Sequence, residues 1–140
     1  MNEQVECPYC HTQAVCRSSE IIYGSGRYYG KVWVCSNYPS CDAYVGCHGD
    51  SDDPLGTLAN RQLRELRKAA HAQFDELWKS GRILVIYQRF MPGVNARRRA
   101  YTWLAEQMFL TLEETHFAMM DKPQIEKAIR IIKQAKARTE

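Results

Sequence analysis

The chain has 140 residues and a formal net charge of +3, and 45% of its residues are hydrophobic. This composition argues against a disordered chain, and no apolar run is long enough to cross a bilayer. The opening residues, MNEQVECPYC, lack the basic start and apolar core of a signal peptide, so we expect a cytoplasmic protein whose six cysteines stay reduced.

Charge and cysteine content divide the chain into two parts. Residues 1–55 carry three basic and seven acidic side chains, whereas residues 56–140 carry 16 basic and 9 acidic ones. All six cysteines lie in the first part, and the polar stretch HGDSDDPLGT closes it. We therefore predict an α+β protein with a β-rich module at 1–49, a linker at 50–56 and a helical bundle at 57–140.

Several segments of the first part have the composition of short strands. TQAVCRSS and EIIYGS are each long enough for one strand, and DAYVGCH is a candidate for the last one. The best candidate is GRYYGKVWVCS, which is rich in aromatic and β-branched residues and alternates in character. As a continuous strand it would present one face made of Arg27, Tyr29, Lys31 and Trp33.

Four cysteines form two pairs that suit a tetrahedral zinc site. CPYC contains Cys7 and Cys10, and CSNYPSC contains Cys35 and Cys41. A tight turn between two cysteines supplies two of the four thiolates of a structural zinc site, and an antiparallel hairpin brings two such turns together. We predict one structural Zn2+ on these four residues, in a zinc ribbon (a short antiparallel β-sheet) that depends on the metal to fold.

The cysteine pattern leaves alternatives open. Cys41 and Cys47 have the same spacing as the second pair, and His11 and His48 lie close to the cysteines. A disulfide framework is a further alternative, which reduced thiols disfavour. A zinc ion held by four thiolates has no open position for water or substrate, so the pattern favours a protein that is not an enzyme.

The second part has helical periodicity. LGTLANRQLRELRKAAHAQFDELWKS carries apolar residues at three- and four-residue steps, with Thr57 or Asn60 as its N-cap. PGVNARRRAYTWLAEQMFL predicts a helix capped by Asn95, and LEETHFAMM and KPQIEKAIRIIKQAKAR predict two more. RILVIYQRFM fits either a short strand or a buried helix. These elements predict a bundle of about four helices.

Two features of the helical part are candidates for chemistry. Arg97, Arg98 and Arg99 lie in the first turn of their helix, where cations oppose the helix dipole. This favours a bound anion such as a nucleic-acid phosphate, and a solvated basic helix end is an equal alternative. His71 and Asp75 share one helix face and could hold a metal or relay a proton, but no third group is evident.

The segment CPYC…GSGRYYGKVWVCSNYPSCDAYVG resembles the C-terminal zinc ribbons of bacterial type IA DNA topoisomerases. Those ribbons pair a CPxC turn with a Gly-Arg-aromatic-Gly strand and a CSxYPxC turn, and they usually have Gly where this chain has His11. The whole chain also resembles a family of small zinc-finger-containing proteins of phages and prophages that has no established activity. This second resemblance implies the ribbon-and-helices architecture and a bacterial host cell.

These patterns favour a nucleic-acid-binding accessory protein, encoded by a phage or prophage, that prefers single-stranded DNA. Aromatic side chains would stack on unpaired bases and cations would meet the backbone. The predicted contact residues are Arg27, Tyr29, Lys31, Trp33, Tyr38, Arg97, Arg98 and Arg99. The same aromatics could instead pack the ribbon internally. The alternative function is a protein-binding adaptor, or a phage factor that docks on and modulates a host enzyme. Neither function involves a membrane or a small-molecule substrate.

Overall fold

The structure is a computed structural model that describes residues 5–139. Its contacts divide the chain into two compact units, Met1–Arg64 (unit 1) and Glu65–Glu140 (unit 2). The elements are β1 (Ala14–Ser18), α1 (Glu20–Tyr23), β2 (Lys31–Cys35), β3 (Tyr44–Gly46), α2 (Arg61–Lys79), α3 (Arg82–Ile86), α4 (Ala96–Met108), a 3-10 helix (Phe117–Met119) and α5 (Lys122–Ala137). A small antiparallel sheet followed by helices confirms the predicted α+β class.

Unit 1 contains a three-stranded antiparallel sheet with β2 in the centre. Cys16 of β1 lies opposite Trp33 of β2, which in turn lies opposite Val45 of β3. Three consecutive β2 residues, Val32, Trp33 and Val34, are all at most 7% exposed. Both faces of the central strand are therefore covered, and neither of them is an exposed aromatic face.

The segment EIIYGS forms α1 and not the predicted strand. The Ser18 hydroxyl accepts a hydrogen bond from the Glu20 amide at 3.2 Å, and the Glu20 carboxylate accepts one from the Gly26 amide at 2.7 Å. Such local side-chain bonds compete with extended structure and favour a turn. The short helix then ends at Gly24, whose φ of 102° is readily available only to glycine.

The predicted strand GRYYGKVWVCS is shorter in the structure than in the prediction. Gly30 has a φ of 99°, and β2 begins only at Lys31. Arg27 and Tyr29 consequently lie in the connection between α1 and β2. They do not share a strand face with Trp33, because strand alternation does not extend through this connection.

Unit 1 continues beyond the predicted end of the ribbon at residue 49. The backbones of Tyr44 and Ala59 exchange two hydrogen bonds, at 3.1 and 3.0 Å. The Arg64 guanidinium donates to the carbonyl oxygens of Asp42 and Ala59, at 2.7 and 2.6 Å. The Leu55 amide also donates to the Gly46 carbonyl at 2.9 Å, so the stretch 50–56, predicted as a linker, is hydrogen-bonded to β3.

Asn60 and Asn95 are N-caps as the sequence analysis predicts, and Asp121 is a further N-cap that it does not name. The Asn60 side chain accepts from the Leu63 amide at 2.9 Å at the start of α2. Asn95 accepts from the Arg98 amide at 2.8 Å at the start of α4. Asp121 and Gln124 form a reciprocal capping box at the start of α5. These bonds satisfy backbone donors that each helix would otherwise leave without partners.

Two helical predictions need correction. RILVIYQRFM forms the five-residue helix α3, whose Leu84 and Val85 are 57% and 61% exposed, so the segment is neither a strand nor a fully buried helix. LEETHFAMM contains only the 3-10 helix at Phe117–Met119. Thr111 and Glu114 stabilise the turn before this 3-10 helix. The Thr111 hydroxyl accepts from the Glu114 amide at 3.2 Å, and the Glu114 carboxylate accepts from the Thr111 amide at 3.0 Å.

Unit 2 has a core of its own. Phe74 packs against the rings of Tyr101 and Phe117, with centroids 4.5 and 5.5 Å apart. The other fully buried large side chains of this unit include Leu77, Ile83, Leu104, Met120, Ile125 and Ile132. Between residues 5 and 139, no helix combines the length and apolarity that crossing a bilayer requires.

We expect a fragment of residues 54–140 to fold as helices without the metal-binding part. Asn60 would still cap α2, and the buried side chains of unit 2 would keep one another as neighbours. Circular dichroism of the fragment should show a helical spectrum and a cooperative thermal transition, with the zinc-loaded full chain as the control. A disordered spectrum would contradict this account and would mean that the helices need unit 1.

Candidate metal centre

Two turns bring four thiols together in unit 1. Cys7 and Cys10 lie in the turn before β1, and Cys35 and Cys41 lie at the end of β2 and in the loop that follows. All four sulfur atoms lie within 4.8 Å of one another. Across residues 5–139 this is the one cluster of three or more potential ligand side chains at such distances.

The spacing of these thiols fits a zinc ion. Zn–S bonds of about 2.3 Å in a tetrahedron place the sulfur atoms about 3.8 Å apart. The Cys7 and Cys41 sulfur atoms are 3.7 Å apart. Cys7 and Cys35 are at most 1% exposed, which shields the centre from solvent. The donor set and its spacing are therefore consistent with one tetrahedral zinc ion that has four sulfur ligands.

Backbone hydrogen bonds shape the first turn. The Cys7 amide donates to the Thr12 carbonyl at 2.9 Å, and the His11 amide donates to the Cys7 carbonyl at 2.8 Å. His11 has a φ of 60°, in the left-handed region that disfavours side chains with a Cβ. Glycine would adopt this backbone conformation without that cost.

The second turn directs backbone donors toward its cysteines. The Asn37 amide donates to the Cys35 sulfur at 3.4 Å, and the Tyr38 amide donates to the Cys35 carbonyl at 2.9 Å. The Cys35 amide donates to the Ala43 carbonyl at 3.0 Å. An amide that points at sulfur stabilises the thiolate form, which is the form that binds metal.

The thiols differ in acidity in the metal-free protein. Burial raises the pKa of Cys41 to about 12 and also raises the pKa of Cys7. Burial opposes deprotonation of Cys35 as well, but hydrogen bonds from the Asn37 amide and the Thr12 hydroxyl lower the pKa of Cys35 to about 7. Zinc binding must therefore displace protons, and Cys35 gives up its proton more readily than Cys7 or Cys41.

The two remaining cysteines lie outside the cluster. The Cys16 sulfur is 3.9 Å from a carboxylate oxygen of Asp52, and Cys16 shares the Trp33 face of the sheet. Cys47 follows β3 and is also partly buried against this face. No group of ligands in the described part of the chain includes Cys47 or His48, and all six cysteines are free thiols. The geometry therefore favours the predicted ligand set over these alternatives.

The structure removes Trp33 from the predicted nucleic-acid surface. Trp33 is 7% exposed and belongs to the core of unit 1. Its indole N–H donates to the Asp52 carbonyl at 2.6 Å. The Lys31 ammonium is 2.7 Å from the Asp52 carboxylate, which neutralises much of its charge. Trp33 is thus unavailable for base stacking, contrary to the prediction, and Lys31 already has an anionic partner.

An exposed tyrosine cluster occupies the segment from α1 to β2. Tyr29 is 72% exposed, Tyr28 is 51% exposed and Tyr23 is 48% exposed. The rings of Tyr23 and Tyr29 meet edge to face, 5.3 Å apart, and Arg27 is exposed in the same segment. Sequence reasoning found Tyr29 and Arg27 but missed Tyr23, because only the unforeseen turn of α1 brings its ring back toward Tyr29.

The three predicted arginines of unit 2 have different surroundings. A guanidinium nitrogen of Arg99 donates to the carbonyl oxygens of Tyr87 and Arg89, at 3.1 and 2.6 Å, and so holds the loop after α3. Arg97 and Arg98 instead line a cavity. Tyr38 in unit 1 is partly exposed, and its role as a stacking residue stays a prediction.

The His71–Asp75 pair has structural contacts. The Asp75 carboxylate accepts a hydrogen bond from the Trp78 indole at 3.1 Å, and the His71 ring packs edge to face on Phe117 with centroids 4.8 Å apart. Burial lowers the pKa of His71. Within the described residues, no cluster of metal ligands includes this pair.

The assignment of the four cysteine ligands predicts which substitution removes the bound zinc. Cys35→Ser should remove the bound zinc, because a hydroxyl is a much poorer zinc ligand than a thiolate. Cys47→Ser, a matched control directly after β3, should keep one zinc per chain. Metal analysis of the purified variants checks this. A Cys35→Ser protein with full zinc and a Cys47→Ser protein without it would show that the second turn is wrongly assigned.

The left-handed backbone at His11 predicts opposite effects of two substitutions. His11→Gly should stabilise the zinc-loaded protein by about 1 kcal/mol, because glycine adopts this conformation without the Cβ penalty. The exposed contact between His11 and Glu6, at 3.3 Å, contributes little to stability, so its loss should not offset this gain. His11→Val should destabilise, because a β-branched side chain is worse than His there. Thermal unfolding of both variants measures the difference, and a lower melting temperature for His11→Gly would contradict the argument.

The comparisons with known proteins agree with the metal centre. No curated protein and no solved structure matches the chain. The sequence matches the DUF3268 family, described as a zinc-finger-containing domain, over residues 3–135. This match includes all four clustered cysteines and nearly the whole of both units. The chain therefore belongs to the DUF3268 family of zinc-finger-containing domains.

Proposed function

We propose that this zinc-finger protein binds single-stranded nucleic acid, with single-stranded DNA favoured, and acts as an accessory factor. The observation that carries the proposal is the exposed cluster of Tyr23, Tyr28 and Tyr29 beside Arg27. Three phenol rings of one short segment stay 48–72% exposed, and an exposed aromatic surface of this kind is typical of an interaction site. Unpaired bases are suitable partners, because every base offers a flat face.

The geometry of the cluster favours single strands over duplex. Bases within a duplex are already stacked, so their faces are hidden from protein side chains. Tyr23 and Tyr29 meet edge to face, and the exposed faces of such a pair can receive a base from the side. Each stacked base contributes about 1–3 kcal/mol by alanine substitution. Stacking would therefore supply most of the affinity.

Charge would contribute less than stacking. The first 55 residues carry four more acidic than basic side chains, and Asp52 already pairs with Lys31. Arg27 is exposed and forms no ion pair within residues 5–139, so it is free to meet a phosphate. One phosphate contact on a single strand changes the salt slope by about 0.7. Binding through unit 1 should accordingly depend only weakly on salt.

The metal would have a structural role in this function. A zinc ion with four thiolate ligands keeps no position for water or substrate, which supports a protein that is not an enzyme and needs no small-molecule substrate. The sequence resemblance to zinc-finger-containing proteins of phages and prophages supports a phage or prophage origin. The same resemblance and the free thiols support a cytoplasmic location in a bacterial host.

The alternative is a protein-binding adaptor that docks on a host enzyme. One observation favours it, namely an exposed apolar surface on unit 2. Leu84, Val85 and Phe90 are 57%, 61% and 89% exposed on and after α3. Exposed apolar groups of this size are typical of protein contacts. A single-stranded oligonucleotide separates the two functions, because the tyrosine cluster would bind unpaired bases whereas an adaptor would not.

The stacking proposal predicts how two unit 1 variants differ. Tyr29→Ala should weaken binding to single-stranded DNA by about 1–3 kcal/mol and leave the salt slope unchanged, because stacking releases no counterions. Arg27→Gln should instead flatten the slope by about 0.7. Fluorescence anisotropy of a labelled oligonucleotide, titrated with zinc-loaded protein at two salt concentrations, measures both quantities.

The control for this experiment is Phe109→Ala, which removes an aromatic side chain that is 91% exposed in unit 2. It should bind single strands as the unchanged protein does. If Phe109→Ala and Tyr29→Ala weaken binding equally, the tyrosine cluster is not the binding surface. If the zinc-loaded protein binds no nucleic acid even at low salt, the nucleic-acid proposal fails and the adaptor function takes its place.

A further inference from the structure

Unit 2 contains a cavity at the start of α4 that neither the family match nor the tyrosine cluster explains. It has a volume of about 550 Å3. Its lining includes Arg97, Arg98 and Tyr101 from α4 and Glu113 and His116 from the segment after it. This volume lies within the range of about 300–1,000 Å3 that is usual for small-molecule sites.

The cavity has an unmatched positive charge. Within residues 5–139, neither Arg97 nor Arg98 forms an ion pair with a carboxylate. The Arg97 guanidinium lies over the ring of Tyr101, 5.3 Å from its centroid, which fixes its direction without neutralising it. The first turn of α4 has no acidic residue, so the helix dipole adds to the positive potential.

Tyr101 adds a hydrogen-bonding hydroxyl to the lining of the cavity. It is 9% exposed, yet it lines the cavity. Its hydroxyl oxygen interacts with Arg97, a donor that offers no acceptor in return. Nothing in the described part of the chain accepts the phenol proton. The hydroxyl proton is therefore available to an anionic oxygen bound in the cavity.

An aromatic wall adjoins the cations. The ring of His116 lies 5.5 Å from that of Tyr101, and both rings line the cavity. Two guanidinium groups are suited to bind the oxygens of a phosphate, each through paired N–H donors. A flat ring attached to that phosphate would then lie against His116.

We propose that this cavity binds the phosphate monoester of a nucleotide, either free or at the 5′ end of a strand. Arg97 and Arg98 hold the phosphate, the Tyr101 hydroxyl donates to one of its oxygens, and the base lies along His116. The inference goes beyond strand binding by the tyrosine cluster, because all of these residues belong to unit 2. It stands or falls independently of that function.

Glu113 provides a test of whether the cavity prefers an anion. Among the described residues that line the cavity it is the one carboxylate, and it must repel a phosphate. Replacing it with Gln removes the repulsion and keeps a similar shape. Glu113→Gln should therefore strengthen the binding of inorganic phosphate, whereas loss of either arginine weakens it.

The experiment uses the zinc-loaded full chain. Adenosine 5′-monophosphate, adenosine and inorganic phosphate are titrated separately, with amide chemical shifts followed by NMR. We expect the monophosphate to shift the amides around Arg97, Arg98 and His116, and adenosine alone to bind at least about tenfold more weakly. Arg97→Gln/Arg98→Gln should weaken monophosphate binding by about tenfold or more, because it removes charge-assisted hydrogen bonds.

Matched variants distinguish binding in the cavity from attraction to the overall positive charge of unit 2. Arg130→Gln/Arg138→Gln removes two exposed positive charges from α5 and its end, outside the cavity, and should change the affinity by less than about twofold. Tyr101→Phe keeps the buried ring and removes only the hydroxyl, so it tests the site even if the double arginine variant fails to fold. It should weaken monophosphate binding while the melting temperature stays near that of the unchanged protein.

Two oligonucleotides distinguish the sources of the phosphate. A strand with a 5′-phosphate should bind more tightly than the same strand with a 5′-hydroxyl, and Tyr29→Ala should not remove this difference if the cavity causes it. Equal affinity of the two strands, with monophosphate binding intact, would assign the cavity to a free nucleotide. The proposal is overturned if monophosphate at millimolar concentration shifts no amide at the cavity, or if both double variants weaken binding equally.

Discussion

Four thiols that meet between two turns hold unit 1 together. The apolar cluster of this unit is small, and two of its seven buried members, Cys7 and Cys35, are themselves metal-binding candidates. A core of this size offsets little of the conformational entropy that folding removes. A metal ion at the four thiols would supply the missing free energy and would cancel the charge of thiolates that are otherwise costly to bury.

The metal centre also determines which side chains reach the surface. It fixes the end of β2 at Cys35, and Trp33 two residues earlier is held in the core by its bond to Asp52. The chain before β2 is then free to turn, and it carries Tyr28 and Tyr29 outward. One strand thus separates the buried thiols and the core from an exposed aromatic segment. The tyrosines can meet a ligand without disturbing the zinc site.

Local chemistry made much of this architecture predictable. The spacing within each turn identified the two cysteine pairs, and the side chains of Asn60 and Asn95 identified helix starts, because each of these features depends on residues close in sequence. Local side-chain bonds at Ser18 and Thr111 account for the two misassigned elements, and contacts between distant residues account for the misplaced site residues. Asp52 fixes the orientation of Trp33 from 19 positions away, and Arg99 binds the carbonyls of a preceding loop. Periodicity and composition contain no signal for such bonds.

X-ray absorption spectroscopy at the zinc edge tests the central claim most directly. The account predicts one zinc per chain with four sulfur neighbours at about 2.3 Å and no nitrogen or oxygen in the first shell. The same spectrum should be obtained from the Cys47→Ser variant. A first shell that contains a nitrogen atom would place His11 or His48 on the metal, and it would contradict the four-thiolate centre on which the fold of unit 1 depends.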